Sequence, residues 1–442
     1  MNQMVEQNRY SLQEAFALRE KPLKEIEAVQ LISLKKHIRR AGTTAFYREA
    51  FDAIGLDEAE LSSISDLTQL PFTTREDLDR FPEKFGVSDQ KSIVDVALTS
   101  GTTGNAVMVP YTANDLQRLA FNEAVAFHSV GVRARDRVLL TVTLDRCFIA
   151  GLAYYSGVTM LGAAAIRNGP GQPARQWQII ETLRPRVVVG VPTFLYELAC
   201  WGNEHGIDVS QSSIETIVTI GEPARRPGNI LTPLGQNLHK LWGANLYSSY
   251  GATEFETAFG ECSAQAGGHV HPELMLVEIV DDQGRVLPDG EQGEVVVTPL
   301  GVEGFPLLRL RTGDVARLDS TPCTCGWNTK RLGPVEGRLA QRLKYKGTTL
   351  YPETIFNVLQ DDLRISGAYV EVRQSADGSD DITVVVGSDD SSLDVQFMVE
   401  QLQARLRVKP VIRVDSVAGV KAAMFADGSR KAKKFFDFRN EE

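Results

Sequence analysis

Between about Val94 and Thr298, short β-branched runs alternate with segments of helical period. "VLLTVTL", "RVVVGVP", "IETIVTIGE" and "GEVVVTPL" read as strands, and the alternation predicts a layered α/β architecture. Upstream, Leu12 to about Ala53 reads as helical, and "LTQLPFTTREDLDRFPEKF" reads as a capped connection leading inward. The uncharged run Phe148 to Ile166, "FIAGLAYYSGVTMLGAAAI", is nearly long enough to span a bilayer, but glycines, tyrosines and a serine dilute it. It is expected to be a buried helix entering a buried strand. After Arg338 the texture changes. "YPETIFNVLQ" reads as a Pro-started helix, "GAYVEVRQ", "DITVVVGS" and "PVIRVDSV" as strands, and "SSLDVQFMVEQLQARLRV" as an amphipathic helix. The pattern therefore predicts a large layered α/β N-terminal domain over residues 1–337 and a small α+β C-terminal domain over 338–442.

A chain of 442 residues with 43% hydrophobic and 24% charged residues can bury more than one core, and nothing in it reads as low-complexity. The net charge of −10 argues against a nucleic-acid partner, which needs a basic face. "MNQMVEQNRY" lacks the basic start and apolar run of a signal peptide, so the expectation is a cytoplasmic protein with no membrane partner. Five cysteines in such a chain are poor material for a disulfide framework.

The stretch Leu98 to Val107, "LTSGTTGNAV", packs glycines and hydroxyl residues between strand-like sequences. Glycines let main-chain N–H groups approach a phosphate, and hydroxyls add donors, so the loop suits an anion cradle. It has neither the spacing nor the Lys-Ser/Thr of a Walker loop, and a glycine-rich hairpin turn is the alternative. Four further stretches follow it in order: "YGATE" (Tyr250 to Glu254), "RTGD" (Arg311 to Asp314), "GRLAQRLKYKG" (Gly337 to Gly347) and "RKAKKFFD" (Arg430 to Asp437). Together the five resemble the ordered core motifs of the adenylate-forming superfamily of acyl-CoA synthetases, adenylation domains and luciferases. "TAFYREAFDAIGLDEAELSSISDLTQLPFTTREDL" is similar to the N-terminal sequence of phenylacetate–CoA ligases in particular. The resemblance runs from about Arg39 to Asp437.

That resemblance implies a role for each matching residue. Ser100, Gly101, Thr102, Thr103 and Gly104 would hold the β- and γ-phosphates of ATP. Thr253 would contact the α-phosphate, and Glu254 would ligate Mg2+, a cation that prefers carboxylate and phosphate oxygens. Asp314 would accept from both ribose hydroxyls, with Arg338 beside the ribose or phosphate, and Gly221, Glu222 and Pro223 would line the adenine side. Tyr250 and Gly251 complete the nucleotide set, and Phe148, Tyr154, Tyr250 and Ala252 the acid pocket. Lys431 would bridge substrate carboxylate and α-phosphate, its motif register favouring it over Lys433. Gly347 would give pantetheine room. The implied reaction is ATP-dependent activation of an aromatic carboxylic acid to acyl-AMP, then transfer to the CoA thiol after the C-terminal domain turns at a hinge.

The sequence departs from the family pattern at Asn105, Ala340 and Arg430. The last two lie at the machinery for the second half-reaction, so transfer of acyl-AMP to a carrier protein or reductase is the alternative to CoA. A nucleotide-binding relative without turnover is a second alternative, and a homodimer stays open. Asp145 and Arg146 could recognise an amino group or a second carboxylate, or form an exposed pair. Finally, Cys262 and His269 in "ECSAQAGGH" and Cys323 and Cys325 in "PCTCG" supply the ligand set of a closed structural Zn2+ site, with His271 as an alternative fourth ligand and reduced free cysteines as the other reading. Similar positions occur in phenylacetate–CoA ligase relatives. Cys147 and Cys200 are expected in the core.

Overall fold

The computed structural model describes residues 10–86, 90–99, 106–345, 348–362, 364–374, 380–426 and 432–439. The chain divides into two compact units, Met1–Thr312 with Ala316–Pro334, and Gly313–Val315 with Val335–Glu442.

The first unit begins with helices α1 (Leu12–Arg19), α2 (Leu23–Ala41) and α3 (Ala45–Ile54). Helix α4 (Arg75–Arg80) follows a capping box in which Thr74 and Asp77 satisfy each other's backbone N–H groups. Strands β1 (Ile93–Leu98) and β2 (Met108–Thr112) form an antiparallel pair, and Thr112 caps α5 (Ala113–Ser129). Then come β3 (Arg137–Leu140), α6 (Ile149–Met160), β4 (Ala164–Arg167), α7 (Pro173–Leu183), β5 (Val187–Gly190), α8 (Pro192–Glu204) and β6 (Thr216–Thr219). A short hairpin of β7 (Arg225–Arg226) and β8 (Ile230–Leu231) precedes α9 (Pro233–Trp242), β9 (Asn245–Ala252) and β10 (Thr257–Gly260).

These strands form a sheet in the order β10-β9-β6-β5-β3-β4, parallel except for β10. Alternate residues serve two cores. Leu139, Val188, Ile217 and Leu246 face one, and Val138, Leu140, Val187, Val189, Val218 and Tyr247 face the other. Burial on both faces explains why β5 reads as an unbroken "VVVG". The strand order reverses at β3, because the chain moves to β4 on one side and then to β5, β6 and β9 on the other. Such a reversal opens a crevice beyond the carboxyl ends of the strands, where ligands of doubly wound sheets bind.

The uncharged run Phe148 to Ile166 becomes α6 and β4, as its pattern predicts, but β4 is a half-exposed edge strand rather than a buried one. "GEVVVTPL" forms the expected strand, β13 (Gln292–Pro299), in a second sheet, paired antiparallel with β12 (Met275–Val280). That sheet runs β11 (Gly268–His269), β15 (Arg331–Leu332), β14 (Leu310–Asp319), β13, β12.

In the second unit, β16 (Gly337–Arg338) pairs with Asp314 and Val315 of β14. A hairpin of β17 (Leu343–Tyr345) and β18 (Thr348–Leu350) leads to α10 (Pro352–Leu359). Strands β19 (Gly367–Gln374), β20 (Asp380–Gly387), β21 (Val411–Asp415) and β22 (Phe435–Asp437) form a sheet in the order β21-β20-β19-β22. Val370, Val372, Val384 and Val386 pack on one face against α10 and α11 (Val395–Leu406), while Tyr369 and Val385 pack on the other against α12 (Val417–Met424). No helix among the described residues is long and apolar enough to cross a membrane.

Candidate active site and metal centre

Two groups of sequence-predicted residues, Gly221–Pro223 and Tyr250–Glu254, lie at the carboxyl ends of the adjacent parallel strands β6 and β9. Gly221, Glu222 and Pro223 follow β6, where Gly221 takes a left-handed φ of 82° that turns the chain away from the sheet. The Glu222 carboxylate accepts from the Thr193 amide at 3.1 Å and its hydroxyl at 3.0 Å, capping the first turn of α8. Tyr250, Gly251 and Ala252 close β9, with Tyr250 stacked on Phe259 at 5.9 Å. Thr253 and Glu254 then enter a single 3-10 turn. The Tyr111 hydroxyl donates to the Thr253 carbonyl at 3.4 Å, and burial pushes that phenol's pKa up, so it stays a donor. Glu254 accepts from the Arg75 guanidinium at 2.8 Å, across 179 residues of sequence.

In the second unit the pairing of β14 with β16 sets Asp314 opposite Arg338, and Arg338 Nε lies 3.0 Å from the Asp314 carboxylate. Ala340 sits in the 3-10 turn Leu339–Gln341 that follows. Ser100, Gly101, Thr102, Thr103, Gly104, Asn105, Gly347, Arg430 and Lys431 lie outside the described residues.

Of the acid-pocket residues, Phe148 is half-buried at the N-cap of α6 and Ala252 is exposed. Tyr154 is buried in the core between α5 and the sheet, hydrogen-bonded to Ser249. Burial, and secondarily the nearby Glu123 carboxyl, hold its phenol above the usual range. Asp145 is exposed, and Arg146 and Cys147 follow it with left-handed φ values of 60° and 54°. This turn corrects one expectation: Cys147 is exposed, because its backbone carbonyl, which accepts from the Leu98 amide, is the part tied to the fold. Cys200 is half-buried.

The four metal-ligand candidates come together from the Cys262 loop, strand β11 and the Cys323–Cys325 loop. The Cys262 and Cys323 sulfurs lie 3.6 Å apart, Cys325 Sγ lies 3.5 Å from His269 Nε2, and all four ligand atoms fall within 4.8 Å of one another. Tetrahedral zinc with Zn–S of about 2.3 Å and Zn–N of about 2.0 Å has S···S edges of about 3.8 Å and S···N edges of about 3.5 Å, which the 3.6 Å and 3.5 Å separations match. Burial lowers the His269 pKa to about 3, and its Nδ1 lies 2.7 Å from the Thr329 hydroxyl. A proton on Nδ1 leaves the Nε2 lone pair facing the thiols. His271 is not the fourth ligand. Its Nδ1 accepts from the buried Arg19 guanidinium at 2.9 Å, and Arg19 in turn meets Glu273 at 2.6 Å.

Arg75, Thr329 and Glu123 are the residues that sequence reasoning missed. The capping box before Arg75 is visible in "TTRED", but its carboxylate partner is a tertiary fact. Thr329 lies four residues after Cys325, and a hydroxyl near a ligand loop was the only available signal.

A family model described as "AMP-binding enzyme" matches residues 23–302, and the chain belongs to that family. Among curated proteins it is similar to the phenylacetate-coenzyme A ligase of Thermus thermophilus, 31% identical over 76% of this chain and 76% of that protein. It is also similar to the phenylacetate-coenzyme A ligase of Escherichia coli (strain K12), 27% identical over 94% of this chain and 95% of the relative. Its fold is that of a 2-hydroxyisobutyryl-CoA ligase crystallised with 2-HIB-AMP, at a TM-score of 0.85 and 19% identity over 98% and 95% of the two chains. The expected kinship with the adenylate-forming superfamily, most like phenylacetate–CoA ligases, and the expected α/β architecture are therefore borne out.

Proposed function

We propose that this protein is an AMP-forming acid–CoA ligase acting on an aromatic carboxylic acid. The observation that carries the proposal is the gathering of Gly221–Pro223 and Tyr250–Glu254 at one edge of the parallel sheet in a chain of the AMP-binding enzyme family. A substrate carboxylate oxygen attacks the α-phosphorus of ATP, the bond to pyrophosphate breaks, and an acyl-adenylate remains. The CoA thiol then attacks the acyl carbon and AMP leaves. Chemistry of this kind needs position and charge stabilisation more than covalent help from the protein.

In this reading Ser100 to Gly104 hold the terminal phosphates, Thr253 meets the α-phosphate, Asp314 and Arg338 bind the ribose side, and Lys431 supplies the cation at the reacting centre. Mg2+ would neutralise the phosphates. A single protein carboxylate, Glu254, suits it, because Mg2+ keeps several waters and takes phosphate oxygens. Arg75 holds that carboxylate in place beforehand. Residues 338–442 act as the mobile C-terminal domain, with Gly347 lining the thiol's path.

Zn2+ bound by Cys262, His269, Cys323 and Cys325 is part of the same proposal. The ligand distances and the Thr329 contact support it, and a cytoplasmic, reducing compartment keeps the thiols available. With no open position, the ion would serve folding rather than catalysis.

Acid-dependent exchange of labelled pyrophosphate into ATP, screened over aryl acids, tests the reading. It predicts exchange that is lost in Lys431→Ala while ATP still binds. ATP binding with no exchange for any acid would establish instead a nucleotide-binding relative without turnover.

A further inference from the structure

Two carboxyl groups border a small cavity on the α5 side of the parallel sheet, and they are treated differently. The cavity is lined by Glu123, Phe127, Val218, Tyr247, Ser249 and Glu261, among others. Glu261 is buried with a partner: Arg225 lies 2.6 Å from it, and the Ser248 amide donates to it at 2.8 Å. Glu123 is 5% exposed and has no such cation among the described residues. The Asn122 side-chain amide donates to one of its oxygens at 3.0 Å, and no other hydrogen bond reaches the carboxyl among the described residues. The close approach of α6 fixes its position, since a Cβ on Gly157 would meet the Glu123 Cβ at 2.3 Å.

A buried carboxyl with spare acceptor capacity is costly unless something completes it. Burial shows that cost by raising the Glu123 pKa to about 8. The cavity is about 10 Å³, room for one water-sized group such as a hydroxyl or an amine. One residue assigned to the acid pocket borders it: Tyr154 is hydrogen-bonded to Ser249 of the lining and lies close enough to Glu123 to sense its charge.

We propose that Glu123 recognises a hydrogen-bond donor at the far end of the substrate, so that the acid activated is an aryl acid bearing a hydroxyl or amino group rather than a bare ring. The inference rests on the acid-activating reading above and specifies its substrate class. Glu123 is the specificity determinant. A site built to receive a donor rejects an analogue of the same size without one, because the carboxyl is then left uncompleted.

The test measures equilibrium binding of phenylacetate and its 4-methyl, 4-hydroxy and 4-amino derivatives by calorimetry, and pyrophosphate exchange with each. The wild-type protein should bind the 4-hydroxy or 4-amino acid at least tenfold more tightly than the 4-methyl acid, which matches them in size. Glu123→Val should remove that preference, and Glu123→Gln, which keeps the shape and an acceptor, should retain part of it. The hydroxy and amino arms distinguish the two donors. Equal wild-type affinities for the 4-methyl acid and both donor acids, a preference surviving in Glu123→Val, or no binding of any of the four acids would overturn the proposal. Donor-selective binding without exchange for any acid would instead sink the acid-activating reading and leave the recognition by Glu123 standing.

Discussion

The cysteine–histidine cluster and the two carboxylate ion pairs, Glu254 with Arg75 and Asp314 with Arg338, are completed differently. In the cluster, three thiols and an imidazole converge on one point, and the imidazole is oriented by Thr329. If a metal binds there, these four groups would complete a tetrahedral set and leave no position for substrate. In the first unit Glu254 is held by Arg75, and in the second Asp314, inside β14, is held by Arg338, each pair joining a largely buried carboxylate to a more exposed cation. In the proposed reading, the closed set of ligands would hold a metal that stabilises the fold, whereas the two carboxylates would exchange their cations for a ligand.

The sharpest way to break that contrast is to disrupt each region and ask whether the other responds. Cys323→Ser should abolish stoichiometric zinc in protein purified without added metal and lower the melting temperature by on the order of 10 °C, because structural metal-binding energy is folding energy. The folded fraction should still bind ATP. A metal-free wild-type protein of full stability would contradict the zinc assignment. Next in size, Glu254→Gln should slow pyrophosphate exchange about a hundredfold, the scale on which a group facing transition-state charge acts, while zinc content and melting temperature hold. Arg75→Ala, which removes a positioning residue, should raise the apparent KM for Mg2+ about tenfold with a smaller change in kcat, and Arg75→Lys should recover part of it. An Arg75→Ala effect on melting temperature alone would reduce the pair to a structural contact.

A smaller effect is readable in pH. Burial keeps a proton on Glu123 to about pH 8 in the folded chain, whereas an ordinary glutamate loses it near 4.5. The folded state therefore binds more protons between those values, and its stability falls as pH rises through that window. The groups facing Glu123 are Tyr154 on α6 and, across the cavity, Tyr247 and the Arg225–Glu261 pair. Glu123→Gln should flatten the slope of denaturation midpoint against pH from 5 to 8. An unchanged slope would show that Glu123 is already ionised.

Local pattern made much of this legible. Period-2 alternation located β19 and β20, and Pro and periodicity located α10. What escaped was tertiary. Nothing in "GEVVVTPL" says whether its neighbours are parallel or antiparallel, so the sequence did not assign β13 to a sheet. An apolar run cannot declare that its strand is an edge, as β4 is. Between His269 and His271 the spacing could not choose, because the deciding fact is Arg19, some 250 residues upstream, which occupies His271. Glu123 sits on an amphipathic helix where a charge normally faces water, and only the packing of α6 shows that it does not.

The central claim is that this chain joins an aryl acid to CoA through an acyl-adenylate. Mass spectrometry of the products formed from ATP, MgCl2, CoA and an aryl acid that supports pyrophosphate exchange tests it most directly. The account predicts acyl-CoA and AMP in equal amounts. Acyl-AMP that accumulates unchanged by CoA would contradict it and point to a carrier protein or reductase as the acceptor.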